Sequence, residues 1–385
     1  MQPATDRTVF SDRSAPGELE TNPWTRAVQA RRASGGALLD LTVSNPTAAG
    51  LPYDEAAIRA ALSDPAVTSY APDPRGRREA RDALVAAGLA PSADRVFLTA
   101  STSEAYAHLF TLLADPGDEV LVPAPSYPLL SHLAHLAGVA LVPYEGIYDG
   151  RWTFDAPALF DAITERTRAL VAVSPNNPTG AYLDADALAA LAALELPLIV
   201  DEVFHAYPLE APASRPRAFT VQDTLVFTLD GASKRCALPQ VKLGWISLSG
   251  PAAAVDAAAA RLELITDTYL SPSTTQLALP ALLALAEPAA SIRARTAANL
   301  TALRSAFDDT AVTVPRVEGG WYAPLRLPAT QSDEQWAIAL VDRGVLVHPG
   351  YFYDFDEDEA WLVVSLLTPE ADLAAGARIV AQLAC

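Results

Sequence analysis

Between about residues 75 and 250, short β-branched runs alternate with stretches of helical period, and this alternation leaves few folds open. RREARDALVAAG reads as a helix closed by Gly88. Strand RVFLTA, helix SEAYAHLFTLLA, strand EVLVPAP, helix YPLLSHLAHLAG and strand VALVPY follow. Strands ALVAVSP, LPLIVDEV, TLVFTLDG and LGWISLSG continue the pattern, with helix DADALAALAAL among them. Strands of this composition with helices between them predict an α/β fold, a mainly parallel sheet covered on both faces. In such sheets ligands sit at the carboxyl ends of the strands.

Outside that block the texture changes. Loop signals at Pro16, Gly17, Asn22 and Pro23 surround a helical stretch from about Trp24 to Ala33, and a strand-like LLDLTVS ends at Asn45-Pro46. Beyond residue 250, alanine-rich helices over 252–266 and 276–306 lead to a smaller α/β pattern. It contains GGWYAPLRL, a helix near 332–343, VLVHP, WLVVSLL and a final helix over about 369–383. A chain of 385 residues can hold two or three cores at about 150 residues each. The expected organisation is a large domain over 46–270 and a small domain made from 1–45 together with 271–385.

With 51% apolar residues the chain is too hydrophobic for general disorder. No run approaches the roughly 18–20 apolar residues of a membrane span, and no secretory signal opens the sequence. Two cysteines, Cys236 and Cys385, suit a reducing compartment, so a cytoplasmic protein is expected, with no membrane partner. A net charge of −19 repels phosphate backbones and argues against nucleic acid as a partner. The basic residues are unusual: of 27 lysines and arginines only Lys234 and Lys242 are lysine. A lysine amine can be desolvated and made nucleophilic where a guanidinium cannot. Segment 231–245 is therefore where chemistry is expected first.

Polar residues collect at the predicted strand ends: Ser101-Thr102-Ser103, Tyr127, Asn176-Asn177-Pro178, Asp201-Glu202 and Ser233-Lys234. Hydroxyls opening a helix can face an anion, because free N–H groups and the helix dipole favour negative charge there. Their order along successive strands, closed by one of two lysines, points to a single site.

The stretches YAPDPRG (70–76), TASTSEAY (99–106), PAPSYP (123–128), SPNNPTG (174–180), DEVFHAY (201–207), SKRCALPQVKLGW (233–245) and VHPG (347–350) resemble the class I/II aminotransferases. Those are pyridoxal-phosphate enzymes of fold type I, with a large mainly parallel-sheet domain and a smaller α/β domain. The spacing is similar too, with 24 residues from Asn177 to Asp201 and 33 from Asp201 to Lys234. The resemblance implies pyridoxal 5'-phosphate as cofactor and ping-pong transfer between an amino donor and an oxo acceptor. Lys234 would form the Schiff base and then shuttle a proton. Asp201 would hold the pyridinium nitrogen, Asn177 the phenolate oxygen, and Tyr127 the ring face. Ser101, Thr102, Ser103, Ser233 and Lys242 would hold the phosphate. Tyr70 would reach the phosphate of the neighbouring subunit, implying a homodimer with shared sites. No metal is implied. Lyase or decarboxylase chemistry on the same cofactor, acyl transfer, and a non-catalytic effector-binding role are alternatives on the same fold.

Three departures bear on the substrate. The family's D-E-x-Tyr reads Asp201-Glu202-Val203-Phe204, so a phenolate donor is lost, which should raise the Schiff-base pKa unless Tyr207 substitutes. Gln240 and Lys242 replace a glycine and the phosphate-binding arginine, which gives a point charge without the bidentate fork. Val363 occupies the place of the arginine that grips the substrate carboxylate, and Ser44-Asn45 replaces a glycine-containing turn in the same pocket. An atypical substrate is expected. Arg26 or Arg326 could restore the contact, and His348, Trp321 and Tyr322 are further candidates for the pocket wall.

Overall fold

The computed structural model describes residues 11–14 and 21–384. The turn signals at Pro16 and Gly17, and residues 1–10 and 15–20 of the expected small domain, lie outside the described residues.

Helix α1 (Pro23–Ala33) starts at Asn22, whose side chain accepts from the Thr25 N–H, and strand β1 (Leu39–Asp40) follows. Helices α2 (Glu55–Ala61) and α3 (Arg78–Ala86) precede β2 (Val96–Thr99), α4 (Thr102–Leu113), β3 (Glu119–Ala124), α5 (Leu129–Ala137) and β4 (Ala140–Tyr148). Then come β5 (Trp152–Phe154), α6 (Ala156–Asp161), β6 (Thr167–Val173), α7 (Ala185–Ala192), β7 (Leu198–Asp201) and β8 (Val226–Gly231). The four-residue α8 (Ala232–Arg235) leads to β9 (Gly244–Ser249). Helices α9 (Ala252–Thr268), α10 (Ser273–Leu283) and α11 (Glu287–Phe307) form the helical stretch. The chain closes with β10 (Tyr322–Leu327), α12 (Asp333–Asp342), β11 (Val345–Leu346), β12 (His348–Pro349), β13 (Ala360–Ser365) and α13 (Glu370–Ala384).

Eight strands form one sheet in the order β2-β9-β8-β7-β6-β3-β4-β5. Strands β8, β7, β6, β3 and β4 pair in parallel, whereas β9 runs antiparallel to both β8 and β2. All four residues of β7, Leu-Ile-Val-Asp, are buried, as a strand covered on both faces requires. One face packs Phe97, Val120, Val171, Ile199 and Phe227 under α4, α5 and α9; the other buries Leu121, Leu170, Leu198, Val200 and Val226 with α6 and α7.

A second sheet has the order β10-β13-β12, and β1 pairs in parallel with β11. Its core gathers Leu41, Leu300, Leu325, Trp336, Leu362 and Leu373. An aromatic-rich cluster joins the two halves: Phe204 and Tyr207, from the loop after β7, pack with Trp321, Tyr322, Trp361 and Val363.

Two expected elements differ. The helix read over 276–306 is two helices, bent by 67° at their break. Pro288, in the first turn of α11, has no N–H to carry α10 onward. LLDLTVS yields only two strand residues, because Asp40 Oδ1 accepts from the Thr42 N–H and hydroxyl and turns the chain. Among the described residues no single helix is long and apolar enough to cross a membrane.

Candidate active site

The carboxyl ends of β2, β3, β6, β7 and β8 open on one side, where a cavity of about 460 Å³ lies between the two sheets. At one end is the first turn of α4. Ser101 caps it, its Oγ accepting from the Glu104 N–H at 3.2 Å, and the Glu104 carboxylate accepts from the Ala100 N–H. Ser101, Thr102 and Ser103 all line the cavity. Gly244 makes this approach possible: a Cβ there would meet the Ser101 carbonyl carbon at 2.8 Å and the Thr102 nitrogen at 2.9 Å. Lys242, in the left-handed region at φ 51°, ends the turn before β9 and also lines the cavity.

Asp201 ends β7. It is 9% exposed, and burial, with Asp230 and Glu202 nearby, pushes its carboxyl up to about 7. The Val203 N–H at 3.0 Å and the Tyr106 hydroxyl at 3.3 Å work against that rise by donating to it. Lys234 sits on α8, with Ser233 beside it in the cavity wall. Its amine lies 4.8 Å from the centroid of the Trp321 ring and 5.4 Å from that of Phe204. Burial lowers its pKa from 10.5 to about 8, with Asp201 partly opposing the fall. Near neutral pH the charged amine still predominates, but the neutral form is far more populated than in an ordinary lysine.

The loop after β6 is tied by Asn176, whose Oδ1 accepts from the Thr179 N–H and hydroxyl at 3.2 and 2.9 Å. That leaves Asn177 to face the cavity, and its buried Oδ1 has no protein partner. Tyr127, in the loop after β3, lines the cavity half exposed.

The cavity thus brings together Ser44, Ser101, Thr102, Ser103, Tyr127, Asn177, Asp201, Ser233, Lys234 and Lys242, with Tyr322 and His348, whereas Asn176, Pro178, Glu202, Trp321 and Tyr70 do not line it. Tyr70 is 85% exposed and lies away from it. Asn45 caps the 3₁₀ turn 46–48, accepting from Thr47, and Val363 is 1% exposed within the aromatic cluster; neither lines the cavity. Tyr207 does not replace the missing tyrosine. It is wholly buried, and its hydroxyl donates to the Lys234 backbone carbonyl. Arg26 donates to the Thr21 carbonyl and Arg326 pairs with Glu359, so neither reaches the cavity. Sequence reasoning missed Tyr106, Tyr353 and Phe352 as lining residues. Tyr106 was findable, since it lies one helical turn past Thr102.

Behind the lysine and the carboxylate runs a buried ionic chain. Arg217 pairs with Glu202 and reaches Asp230 at 3.5 Å, and Arg235 bonds Asp230 at 2.5 Å. Glu202 and Asp230 are 1% and 0% exposed. Arg217→Ala strands Glu202, while Arg235 still pairs with Asp230, and is expected to cost about 3–5 kcal/mol at neutral pH. Burial already raises the Glu202 pKa, and without Arg217 it rises further. The folded variant then holds more protons than the unfolded chain, so its stability falls as pH rises through that pKa. Urea midpoints for both proteins from pH 5 to 8 measure this; a pH-independent loss under about 1 kcal/mol would show that the chain is not coupled.

A mostly parallel sheet whose strand ends gather a helix N-terminus, a buried carboxylate and a desolvated lysine defines the fold-type I α/β transferase architecture. The family model described as aminotransferase class I and II matches residues 37–379, and the chain belongs to that family. It is 31% identical to alanine aminotransferase of Mycobacterium tuberculosis over 252 residues, 63% of this chain and 58% of that protein. It is 32% identical to aspartate/prephenate aminotransferase of Thermus thermophilus over 258 residues, 65% of this chain and 64% of that protein. These matches span less than two thirds of the relatives' own lengths. A solved Thermus thermophilus aspartate aminotransferase mutant superposes with TM-score 0.81 at 26% identity, covering 97% of this chain and 99% of that one. Alanine aminotransferase from Pyrococcus furiosus, at 23% identity, shares the fold with TM-score 0.84, covering 96% and 98%.

Proposed function

We propose that the chain is a pyridoxal-phosphate-dependent aminotransferase that moves an amino group from a donor to an oxo acceptor, each taking the same cavity in turn. The observation that carries this reading is the desolvated Lys234 amine on α8, which directly follows β8, the strand paired with the one that ends in buried Asp201. The residues fit the cofactor. The first turn of α4 offers its N–H groups to a phosphate, helped by Ser233 and Lys242, and Gly244 lets β9 pack closely against that turn. Asn177 turns its side-chain amide to the cavity, where the N–H groups of that amide can donate to an anionic oxygen.

Bound there, the cofactor supplies an aldehyde for amine exchange and a ring that takes up electrons from the carbon losing its proton. Lys234 is the nucleophile that holds it and, once released, the base that moves a proton at the amine-bearing carbon. Asp201, poised near 7, would ionise against a protonated ring nitrogen and hold the proton there. Tyr127 would cover the ring face. Phe204 has no hydroxyl to give, which leaves Asn177 as the donor to the ring's phenolate. Tyr70 stands free to meet a second copy, consistent with a homodimer. Because no described arginine lines the cavity, the substrate differs from those gripped by an arginine fork.

Borohydride treatment of the protein with pyridoxal phosphate is expected to fix the cofactor on Lys234, shown by peptide mass mapping. An adduct on Lys242 alone, or none, overturns the reading. The rate of attachment should rise with pH through a single midpoint near 8, where the buried amine loses its proton, rather than near an ordinary lysine's value of about 10.4.

A further inference from the structure

Away from the strand ends, the cavity wall carries no permanent cation among the described residues. Tyr322, Tyr353, His348 and Ser44 supply its polar groups, and Phe352 its apolar face. We propose that this wall selects a primary amine whose carbon skeleton carries uncharged hydroxyl or amide groups in place of a carboxylate, with Ser44, Tyr322, Tyr353 and His348 as its specificity-determining residues. The proposal rests on the aminotransferase reading above.

The wall is neutral for reasons that can be traced. Strand β13 places Val363 opposite Pro324 on β10 and His348 on β12, so these side chains share a face of the sheet. A valine here supplies no charge, and its neighbour supplies none either. Burial pushes the His348 imidazole down to about 4, with Asp40 only partly opposing it, so it is neutral at pH 7. Its Nδ1 lies 3.0 Å from the Tyr353 hydroxyl, and its ring packs against Trp24 and Phe352. Burial raises the pKa of both Tyr322 and Tyr353, so the phenols keep their protons. A hydrogen bond joins Tyr322 to Ser44.

Two guanidinium groups of the surrounding segments are committed elsewhere. Arg295 donates to the Ala49 carbonyl and Arg326 is paired with Glu359. The two amines that do line the cavity, Lys234 and Lys242, belong to the strand-end side, near Asp201 and the first turn of α4. A carboxylate against the wall would be desolvated beside phenols and a neutral imidazole, with no opposite charge. Hydroxyls and amides both donate and accept, as phenol, imidazole and serine hydroxyl do, and they enter without that cost. In the exchange the substrate's C–N bond breaks and its carbon is oxidised to a carbonyl. The substrate amine would displace Lys234, its nitrogen would stay with the cofactor, whose aldehyde carbon would end as an amine, and one water taken up would supply the carbonyl oxygen.

The test is a series on one skeleton: alanine, alaninamide and 2-aminopropan-1-ol, assayed with the pyridoxal-phosphate-loaded protein by single-turnover absorbance. The amide or the alcohol is expected to exceed alanine at least tenfold in kcat/KM. Calorimetric binding of lactamide against lactate, which have no nitrogen to transfer, should follow the same order. Tyr322→Phe and His348→Phe should each shrink the preference without changing borohydride fixation on Lys234. Faster reaction with alanine or glutamate, or no reaction with either neutral member while Lys234 still takes the cofactor, overturns this inference and leaves the cofactor reading standing. Failure of Lys234 to take the cofactor removes both.

Discussion

Lys234→Ala is expected to lower turnover by roughly four orders of magnitude or more, because one amine serves as both attachment point and proton carrier. The fold should survive. Burial disfavours the charged amine below about pH 8, so its removal also removes a desolvation cost. Single-turnover kinetics beside a thermal melt separate the two effects. Activity retained within about a hundredfold would take Lys234 out of the chemistry, whereas a collapsed melting transition would make its role structural.

Asp201→Ala should reduce turnover about a thousandfold while cofactor affinity stays within about tenfold, since attachment depends on Lys234 and the first turn of α4. The substitution has a second signature. Asp201 supports the charged form of Lys234, so its loss should move the attachment midpoint below the value near 8. Unchanged turnover would sink the role given to the carboxylate; an unchanged midpoint would show that the two groups do not sense each other.

What could be read from the sequence was what strand ends and composition report. The alternation of strands and helices placed Ser101, Asn177, Asp201 and Lys234 on one side of a sheet, where the structure has them. The scarcity of lysine marked Lys234 before any geometry was known. Contacts made by packing were not legible in this way. Tyr353 reaches the cavity from a 3₁₀ turn far along the chain, brought there by the β12–β13 pairing. The spacing of Tyr207 left its role open until its hydroxyl was found on the Lys234 carbonyl. Val363, singled out as a substrate residue, acts from beneath the wall, because a buried valine in an aromatic cluster exposes no surface to a ligand.

The wall and the lysine are carried by different parts of the chain. The Ser365 N–H donates to the Leu41 carbonyl, its hydroxyl to the Val43 carbonyl, and the Leu366 N–H to the Trp321 carbonyl. These bonds stitch the segments bearing Ser44 and Tyr322 into one plate, while Lys234 and Asp201 stay on the large sheet. Such a division makes chemistry and selectivity separately heritable. The plate can exchange a tyrosine or a histidine for another side chain and meet a new substrate, with the reacting end of the site left as it was.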